Sequence, residues 1–357
     1  MYFTHPQFKN FSFKPLLGDF SEINLRNKLT KIFPNCHIIF TDSGRSAFQI
    51  AIKHLELENS EILIPAYICD IFKPILECFK IKPIYLDIDL KTFNIQISEI
   101  EKKITANTKS ILICHTYGLP VEMDKILEIA KKYNLKIIED CAHLHFGSLS
   151  RVRQLADRGN CAFFSFAKLF PVINGGMLIS KKPINIKLPK YKFRLNNVIK
   201  FLRLFPILAR FSELFRKDFK GIQGENSKGI PKQTSRGSLR VFNWYLDNFE
   251  EQISKRIKLA EYFQERLREI GFNLQESKDN TFTYLSALVP ENINRDELFY
   301  KLRKKNIFCS RIWQNPLFTG LPNTQEAAKR IINFPLQNWF GEKDIDKIIA
   351  GILSSIG

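Results

Sequence analysis

Short apolar segments alternate with segments of helical hydrophobic spacing through the first half of the chain. The apolar segments predict strands at 37–40, 61–65, 82–89, 110–115 and 136–139. The helical segments predict helices at 22–32, 48–57, 70–79, 98–104 and 123–133. Strands that alternate with helices form βαβ units, so this pattern predicts an α/β fold with a mainly parallel sheet.

The last third of the chain shows a different pattern, in which helices dominate. Helices are predicted at 239–270, 295–305, 324–332 and 342–353. Strands are predicted at 281–289 and near 307. A length of 357 residues exceeds one average domain. We therefore predict a large α/β domain over 1–240 and a smaller C-terminal α+β domain over 241–357.

Candidate chemistry is concentrated between residues 136 and 180. The strand at 136–139 delivers Asp140 at its carboxyl end, and the apolar run from Cys161 is followed by Lys168. Because ligands bind beyond the carboxyl ends of strands in open α/β sheets, we expect Asp140 and Lys168 to face one pocket. This amine and carboxylate suit pyridoxal phosphate, which forms a Schiff base with a lysine and needs a protonated ring nitrogen.

A turn between the first predicted strand and its helix is a candidate anion site. It contains Ser43, Gly44 and Arg45. Free backbone N–H groups and the helix dipole favour a phosphate at such a helix N-terminus. An ordinary turn with a serine cap has the same pattern, so both interpretations stay open.

Each candidate residue could also have a purely structural role. Most lysines are solvated, although Lys168 stands in an apolar context, and Asp140 has the residue type of a helix cap. His143 has an alternative role as a core histidine. Ser165 and Lys168 also match the S-x-x-K motif of β-lactamases, but the S-D-N and K-T-G partners of that motif are absent.

Cysteine usage and apolar runs indicate where the protein works. The seven cysteines contain no C-x-x-C pair, which favours reduced thiols in a cytoplasm over disulfides or a zinc site. The first residues lack the pattern of a signal peptide, and no apolar run reaches about 18 residues. We expect a cytoplasmic protein without a bound metal.

The positive charge of the chain is concentrated in one segment. Residues 181–240 hold sixteen Lys and Arg against three Asp and Glu, a charge of +13 out of a total of +18. Within it, 196–218 combines apolar residues with cations, and Pro206 is expected to split it into two helices. The cations expected on one helical face are Lys200, Arg203, Arg210 and Lys217.

Two interpretations of this basic segment remain open. The simpler one is a helical pair packed on the protein with solvated cations. The other is that 183–220 contacts an anionic membrane surface from the cytoplasm. Nucleic acid is not expected as a partner, because the cations are interleaved with large aliphatic residues.

The chain resembles the DegT/StrS family of pyridoxal phosphate-dependent aminotransferases, enzymes of fold type I that make amino sugars on nucleotide carriers. The resemblance runs from about residue 38 to the end, with a break at about 183–235. It is strongest over 86–148, from LDIDLKTF to EDCAHLHFGS, and over IINFPLQNWFGEKDIDKIIAGI at 331–352.

The resemblance implies a role for each matching residue. Asp140 would pair with the pyridine nitrogen, His143 would lie against the ring, and Lys168 would form the Schiff base. The backbone near Gly44 and the hydroxyl of Ser165 would bind the phosphate. The implied cofactor-binding residues are Ser43, Gly44, Arg45, Tyr67, Asp140, His143, Ser165 and Lys168.

The sequence departs from the family pattern at three places. The phosphate turn reads Ser-Gly-Arg-Ser, and the spacing from Ser165 to Lys168 is shorter than usual. The position of the family's stacking aromatic holds Cys69, and we expect Tyr67 to replace it. These departures affect the identity of the substrate more than the use of the cofactor.

The resemblance also implies the reaction and its partners. An amino acid, glutamate, would donate an amino group to a keto-sugar linked to a nucleotide, and the enzyme would be a homodimer. Alternatives are a dehydratase-type relative or a membrane-surface binding protein on the same fold. Lys168 argues against the dehydratase, because those relatives carry histidine at that position.

Overall fold

The structure is a computed structural model that describes residues 1–8, 14–17, 19–145, 158–214 and 229–356, with the backbone alone at 211–214. Its strands are β1 (Tyr2–Phe3), β2 (His37–Thr41), β3 (Glu61–Pro65), β4 (Lys82–Leu86), β5 (Thr108–Cys114), β6 (Lys136–Asp140), β7 (Cys161–Ser165), β8 (Gly176–Ser180), β9 (Asn273–Leu274), β10 (Leu285–Leu288), β11 (Ile307–Phe308) and β12 (Ile331–Phe334).

The helices of the described residues follow the same chain order. They are α1 (Lys14–Leu17), α2 (Glu22–Ile32), α3 (Gly44–His54), α4 (Phe72–Cys78), α5 (Met123–Lys132), α6 (Phe166–Leu169), α7 (Leu195–Leu202), α8 (Pro206–Leu214), α9 (Arg236–Asp247), α10 (Phe249–Glu269), α11 (Arg295–Lys304), α12 (Pro322–Arg330) and α13 (Glu342–Ile356).

A seven-stranded sheet in the order β2-β8-β7-β6-β5-β3-β4 forms the larger layer. The pairings among β4, β3, β5, β6 and β7 are parallel, while β8 runs antiparallel to both β7 and β2. The predicted mainly parallel sheet is therefore confirmed. Successive side chains of a strand point to opposite faces, and accordingly Phe163 and Phe164 of β7 belong to different apolar cores.

A smaller sheet in the order β12-β10-β9 lies in the C-terminal part of the chain. Its apolar face packs with α10, α11 and α13 in a core of its own. Strand β12 was not predicted, because the sequence pattern extended the preceding helix to residue 332, whereas α12 ends at Arg330. The strand predicted at 281–289 is also shorter, since only β10 pairs in the sheet.

The single long helix predicted at 239–270 was wrong, because α9 and α10 are separated at Asn248. The side chain of Asn248 explains the break. Its Nδ2 donates to the carbonyl oxygen of Trp244 at 2.8 Å, and its backbone N–H turns to the oxygen of Tyr245. A local side-chain bond thus replaces the regular helical one. Similarly, the helix predicted at 98–104 is two short 3₁₀ turns.

The basic segment forms α7 and α8, and the second helix begins at Pro206, which confirms the predicted split. Lys217 and most of the loop predicted at 219–235 lie outside the described residues. Within the described part of the chain, no helix has the length and apolar character needed to cross a membrane.

Candidate functional site

Lys168 lies on the short helix α6, which follows β7 directly. Its Nζ is 3.0 Å from Nε2 of His143, and the side chain is half-buried. The sheet therefore brings a lysine amine and an imidazole together at the carboxyl ends of adjacent strands, where α/β proteins bind ligands.

Asp140 ends β6 and is 3% exposed. One of its oxygens accepts a hydrogen bond from the N–H of Ala142 at 2.9 Å. Burial raises the pKa of this carboxyl, and the positive charge of Lys168 opposes that shift. The two groups thus act on each other electrostatically, as expected for residues that face one pocket.

His143 is a buried imidazole within an aromatic cluster. It stacks on Trp313, with ring centroids 4.9 Å apart, and on Tyr117 at 5.7 Å. Burial and the charge of Lys168 hold the pKa of His143 well below its usual value, so the ring is neutral at neutral pH. Which atom donates across the contact with Lys168 depends on the tautomer of this ring.

The predicted phosphate turn lies at the N-terminus of α3. Oγ of Ser43 accepts from the N–H of Ser46 at 3.3 Å and caps the helix. A Cβ built on Gly44 would lie 3.2 Å from Cβ of Ser165, so the turn and the end of β7 touch. The first N–H groups of a helix have no partner within it. The start of α3 beside Ser165 therefore has the features of an anion-binding helix N-terminus.

Gly176 explains why the turn can sit so close to the sheet. A Cβ at this position would lie 2.5 Å from the carbonyl carbon of Ser43, which the backbone does not permit. Gly176 therefore allows the turn at Ser43 and Gly44 to pack against the start of β8.

Tyr67, predicted to replace the family's stacking residue, lies in the aromatic cluster next to His143. It is fully buried, and its hydroxyl pairs with that of Tyr117 at 2.9 Å. Its ring meets Trp313 edge-on at 5.5 Å, and Trp313 in turn stacks on His143. Burial raises the pKa of the Cys69 thiol, and the positive charge of Lys168 opposes that shift.

Trp313 is a site residue that sequence reasoning missed. It comes from the loop after β11, in a backbone conformation with φ of 63°. No hydrophobic period singles it out, and only the tertiary structure places its ring against His143.

The pair His115 and Glu139 was also missed, although both residues stand at strand ends. Nε2 of His115 is 3.2 Å from Oε2 of Glu139, with neither side chain exposed. Nδ1 of His115 accepts from the N–H of Val121, and Glu139 accepts from the N–H of Gly159. Cys141 lies close enough to complete a metal-ligand set. The existing hydrogen bonds instead indicate a structural role, in which the pair holds the backbone of neighbouring segments in place beside Asp140.

The residues around Lys168 fit pyridoxal phosphate. A buried carboxylate, an aromatic imidazole stack and a helix N-terminus surround one amine. The structure brings Asp140, His143 and Lys168 together and places Gly44 against Ser165, with Ser43 as the cap of α3 and Arg45 in its first turn.

Comparisons with known proteins identify what the chain is similar to. The profile of the DegT/DnrJ/EryC1/StrS aminotransferase family matches residues 21–198 and 241–353. The chain is 33% identical to GDP-perosamine synthase of Caulobacter vibrioides over 88% of its length and 85% of that protein. It is 26% identical to dTDP-3-amino-3,6-dideoxy-alpha-D-galactopyranose transaminase of Aneurinibacillus thermoaerophilus, over 87% and 83%.

A solved structure has a similar fold. GDP-4-keto-6-deoxy-D-mannose-3-dehydratase of E. coli, with bound hydrated pyridoxal phosphate, superposes with a TM-score of 0.73 at 16% identity. The match covers 99% of this chain and all of that one.

Proposed function

Because the chain belongs to the DegT/DnrJ/EryC1/StrS aminotransferase family, we propose that it transfers an amino group from glutamate to a nucleotide-linked keto-sugar. Membership confirms the predicted family, its α/β fold of type I, and an aminotransferase that uses pyridoxal phosphate. The keto-sugar is supported by the relatives, whose names describe enzymes of nucleotide-sugar metabolism. The pathway we propose makes amino sugars for cell-surface polysaccharides or secondary metabolites.

Each of the proposed site residues has a separate role in amino transfer. Pyridoxal phosphate supplies an electron sink for charge that develops on the donor's α-carbon. Asp140 keeps the proton on the ring nitrogen, Ser165 and the turn at Ser43 to Arg45 hold the phosphate, and His143 packs on the ring. Lys168 would hold the cofactor, and its free amine would move the proton of the donor's α-carbon as general base and acid.

One observation carries this proposal: the amine of Lys168 lies 3.0 Å from the imidazole of His143, within the field of the buried Asp140. The test begins with the absorbance spectrum of the purified protein, which should show the chromophore of a lysine-bound cofactor. Borohydride should then fix the cofactor to the peptide that contains Lys168. Label on another lysine, or no chromophore after reconstitution, would contradict the assignment.

The substrate is tested by incubating the holoenzyme with glutamate and a panel of nucleotide-linked keto-sugars. We expect a new amino sugar and 2-oxoglutarate in equal amounts. A deoxygenated sugar, with ammonia released, would favour the dehydratase alternative, which shares this fold. Lys168 argues for the aminotransferase, since the resemblance implies histidine in the dehydratases.

We propose that the enzyme works in the cytoplasm as a homodimer, as the resemblance implies. All seven cysteines are free, which suits a reducing compartment. Sedimentation equilibrium checks the assembly, and a monomer that retains full activity would contradict it. We also keep the division into domains at 1–240 and 241–357, which limited proteolysis near the linking helix α9 tests.

We propose further that the basic segment at 183–220 contacts an anionic membrane surface. Among the described residues of this segment, seven large apolar side chains are exposed: Ile186, Phe193, Leu195, Val198, Ile199, Leu202 and Ile207. Exposed cations accompany them at Lys190, Lys192, Arg194, Lys200 and Arg210. Apolar side chains beside cations suit the interface of an anionic bilayer, where each basic residue contributes about 1 kcal/mol.

Co-sedimentation with anionic and neutral vesicles tests the membrane contact at low and high salt. We expect binding to anionic vesicles alone, lost when Lys200, Arg203, Arg210 and Lys217 are all changed to Gln. Four Lys→Gln changes on other surfaces serve as the matched control. If the wild-type protein ignores anionic vesicles at low salt, the segment belongs to the fold or to the dimer interface instead.

A further inference from the structure

A small pocket lies beside Lys168 and is not explained by the cofactor site. Its walls come from the N-terminal arm, from the segment after β6, from α10 and from the loop before α13. Among the described residues that line it, Lys168 and Arg256 are cationic and none is acidic. Such a pocket is suited to a small anion.

Arg256 is a buried cation without an acidic partner among the described residues. The residue is 5% exposed, and burial lowers its pKa to about 10, which leaves the guanidinium charged at neutral pH. It donates to the carbonyl oxygens of Phe282 and Thr283 and to Oδ1 of Asn338. Three of the five N–H groups of an arginine are thereby used, and one remains on each terminal nitrogen.

A buried charge that lacks an opposite charge is costly unless a partner supplies it. The arrangement of Arg256 leaves a two-pronged donor, which matches the geometry of a carboxylate or phosphate. Its fixed hydrogen bonds hold the guanidinium in place before any ligand arrives.

Two further polar atoms on residues that line this pocket have no hydrogen-bond partner among the described residues. They are Oε1 of Gln7 and Nε1 of Trp339, both buried. The amide nitrogen of Gln7 is occupied, since it lies 2.9 Å from the carbonyl oxygen of Arg203 and 2.7 Å from the ring of His5. Buried polar atoms are nearly always paired, so an acceptor and a donor left open here point to a ligand.

We propose that this pocket binds a carboxylate of the amino donor, an inference that rests on the proposed aminotransferase function. The free N–H groups of Arg256 and the indole N–H of Trp339 donate to the carboxylate oxygens. Oε1 of Gln7 accepts from an N–H group of the donor. Lys168 lines the same pocket, so a donor held there presents its amine within reach of the covalent link to the cofactor.

The N-terminal arm is part of this subsite, which gives the first residues of the chain a function. Strand β1 pairs with β11, and Nε2 of Gln337 donates to the carbonyl oxygens of Phe3 and His5. Gln7 is in turn fixed to Arg203, the cap of α7. The arm therefore closes the pocket and connects it to the basic segment.

A binding experiment tests the subsite without catalysis. Glutarate carries two carboxylates but no amine, so it can occupy the subsite without reacting. We expect millimolar glutarate to raise the melting temperature of the holoenzyme, and the shift to be lost in Arg256→Gln. Inorganic phosphate and GDP are the competing anions. A shift with phosphate or GDP that depends on Arg256, and none with glutarate, would overturn the donor assignment in favour of a sugar-nucleotide subsite.

Kinetics of the separate half-reactions provide the second test, with variants that keep the fold. Trp339→Phe removes one N–H and keeps the ring. Gln7→Glu adds a negative charge to the pocket, which repels the carboxylate of the donor. We expect each to raise the glutamate concentration for half-maximal cofactor amination by about 5- to 30-fold, as for a lost or reversed interaction of 1–2 kcal/mol. The return reaction with the keto-sugar should be unchanged. Trp244→Phe, which alters a tryptophan outside the pocket, is the matched control.

The outcomes also separate this inference from the proposed function. If no amino acid converts the cofactor and no keto-sugar is aminated, the aminotransferase proposal fails, whatever glutarate does. If glutamate reacts normally in wild type, Trp339→Phe and Gln7→Glu alike, the function stands and the subsite is wrong.

Discussion

The two sides of Lys168 are built in different ways. The cofactor side comes from the ends of neighbouring strands, with Asp140 on β6 and Ser165 on β7 only 25 positions apart in the numbering. The donor pocket gathers Gln7, Arg256 and Trp339, which lie in three distant parts of the chain. The first side depends on the regular sheet and the second on the packing of irregular segments. The sheet thus supplies the chemistry, and the packing of the arm and C-terminal part supplies the choice of donor.

The two sides also differ in charge compensation. Asp140 is buried with the positive charge of Lys168 to balance it, so the cofactor side is electrostatically complete. Arg256 is buried with neutral partners alone among the described residues. This difference indicates that the cofactor side is formed before substrate arrives, whereas the donor side is completed by its ligand.

Replacing the lysine should have the largest effect, because both sides meet there. We expect Lys168→Ala to lower kcat by more than about 10³-fold, through loss of the covalent link and of the general base. Steady-state kinetics with glutamate and the accepted keto-sugar provide the measurement, and the exposed Lys190→Ala is the control. Activity within tenfold of wild type would show that another amine serves.

A change at Asp140 should affect both half-reactions equally. Asp140→Asn keeps the shape and removes the charge that holds the ring proton, which should slow amino transfer by about a hundredfold, near 2.7 kcal/mol. Single-turnover rates of each half-reaction check this, with the exposed Asp19→Asn as control. An effect on one half-reaction alone would show that Asp140, like the donor pocket, serves only one of the two substrates.

Gly118 joins the two sides, so its replacement should disturb both. Its φ is +107°, and a Cβ would lie 2.8 Å from Oγ1 of Thr281 and 2.9 Å from the N–H nitrogens of Phe282 and Thr283. Because Arg256 bonds to the carbonyls of those two residues, we expect Gly118→Ala to reduce the free energy of unfolding by about 1–3 kcal/mol. Denaturant unfolding measures the loss.

The control for Gly118 is another glycine with free space. Gly237 lies in α9 with nothing within 4 Å of an added Cβ, so Gly237→Ala should be neutral or slightly stabilising. Equal decreases in the free energy of unfolding of the two variants would mean that the close approach of Gly118 to residues 281–283 does not affect stability.

Stability should fall in mild acid through the buried histidines, the smallest effect expected. Burial, aided by Arg256, holds the pKa of His145 well below its usual value, so the unfolded chain takes up a proton near pH 6.5 and the folded chain does not. The contribution of His145 is present above this pH and is lost as pH falls, by up to about 1.4 kcal/mol per pH unit. When the free energy of unfolding is measured with urea from pH 7 to 5, its decrease with falling pH should be less steep in His145→Gln than in wild type. Identical slopes would mean that His145 takes up its proton in the folded state as well.

Sequence alone predicted the cofactor side in detail and the donor side not at all. Asp140, Ser165 and Lys168 follow strands whose apolar runs are unmistakable, and strand ends in a parallel sheet share one edge. The structure also stacks Trp313 on His143, a contact that the sequence did not predict. That ring arrives from the C-terminal part of the chain, and no local pattern encodes such a contact.

Errors in the predicted elements have the same origin. The break at Asn248 depends on one side-chain hydrogen bond to Trp244, whose energy is small beside the propensity of the surrounding residues for helix. Residues 281–284 look like strand, but they bond to Tyr117 and Gly118 at the site instead of pairing in the smaller sheet.

The sequence by itself determined the α/β fold, the family and the cofactor, and it predicted Lys168 as the residue that holds the cofactor, because these follow from local periodicity and short motifs. Tertiary structure alone decided that Gln7, Arg256 and Trp339 line one pocket with two open polar atoms and an unbalanced charge. The physical reason is that burial and hydrogen-bond satisfaction are properties of the packed chain. An arginine in a sequence is always a cation, but only packing decides whether its partner is a carbonyl, a carboxylate or a substrate.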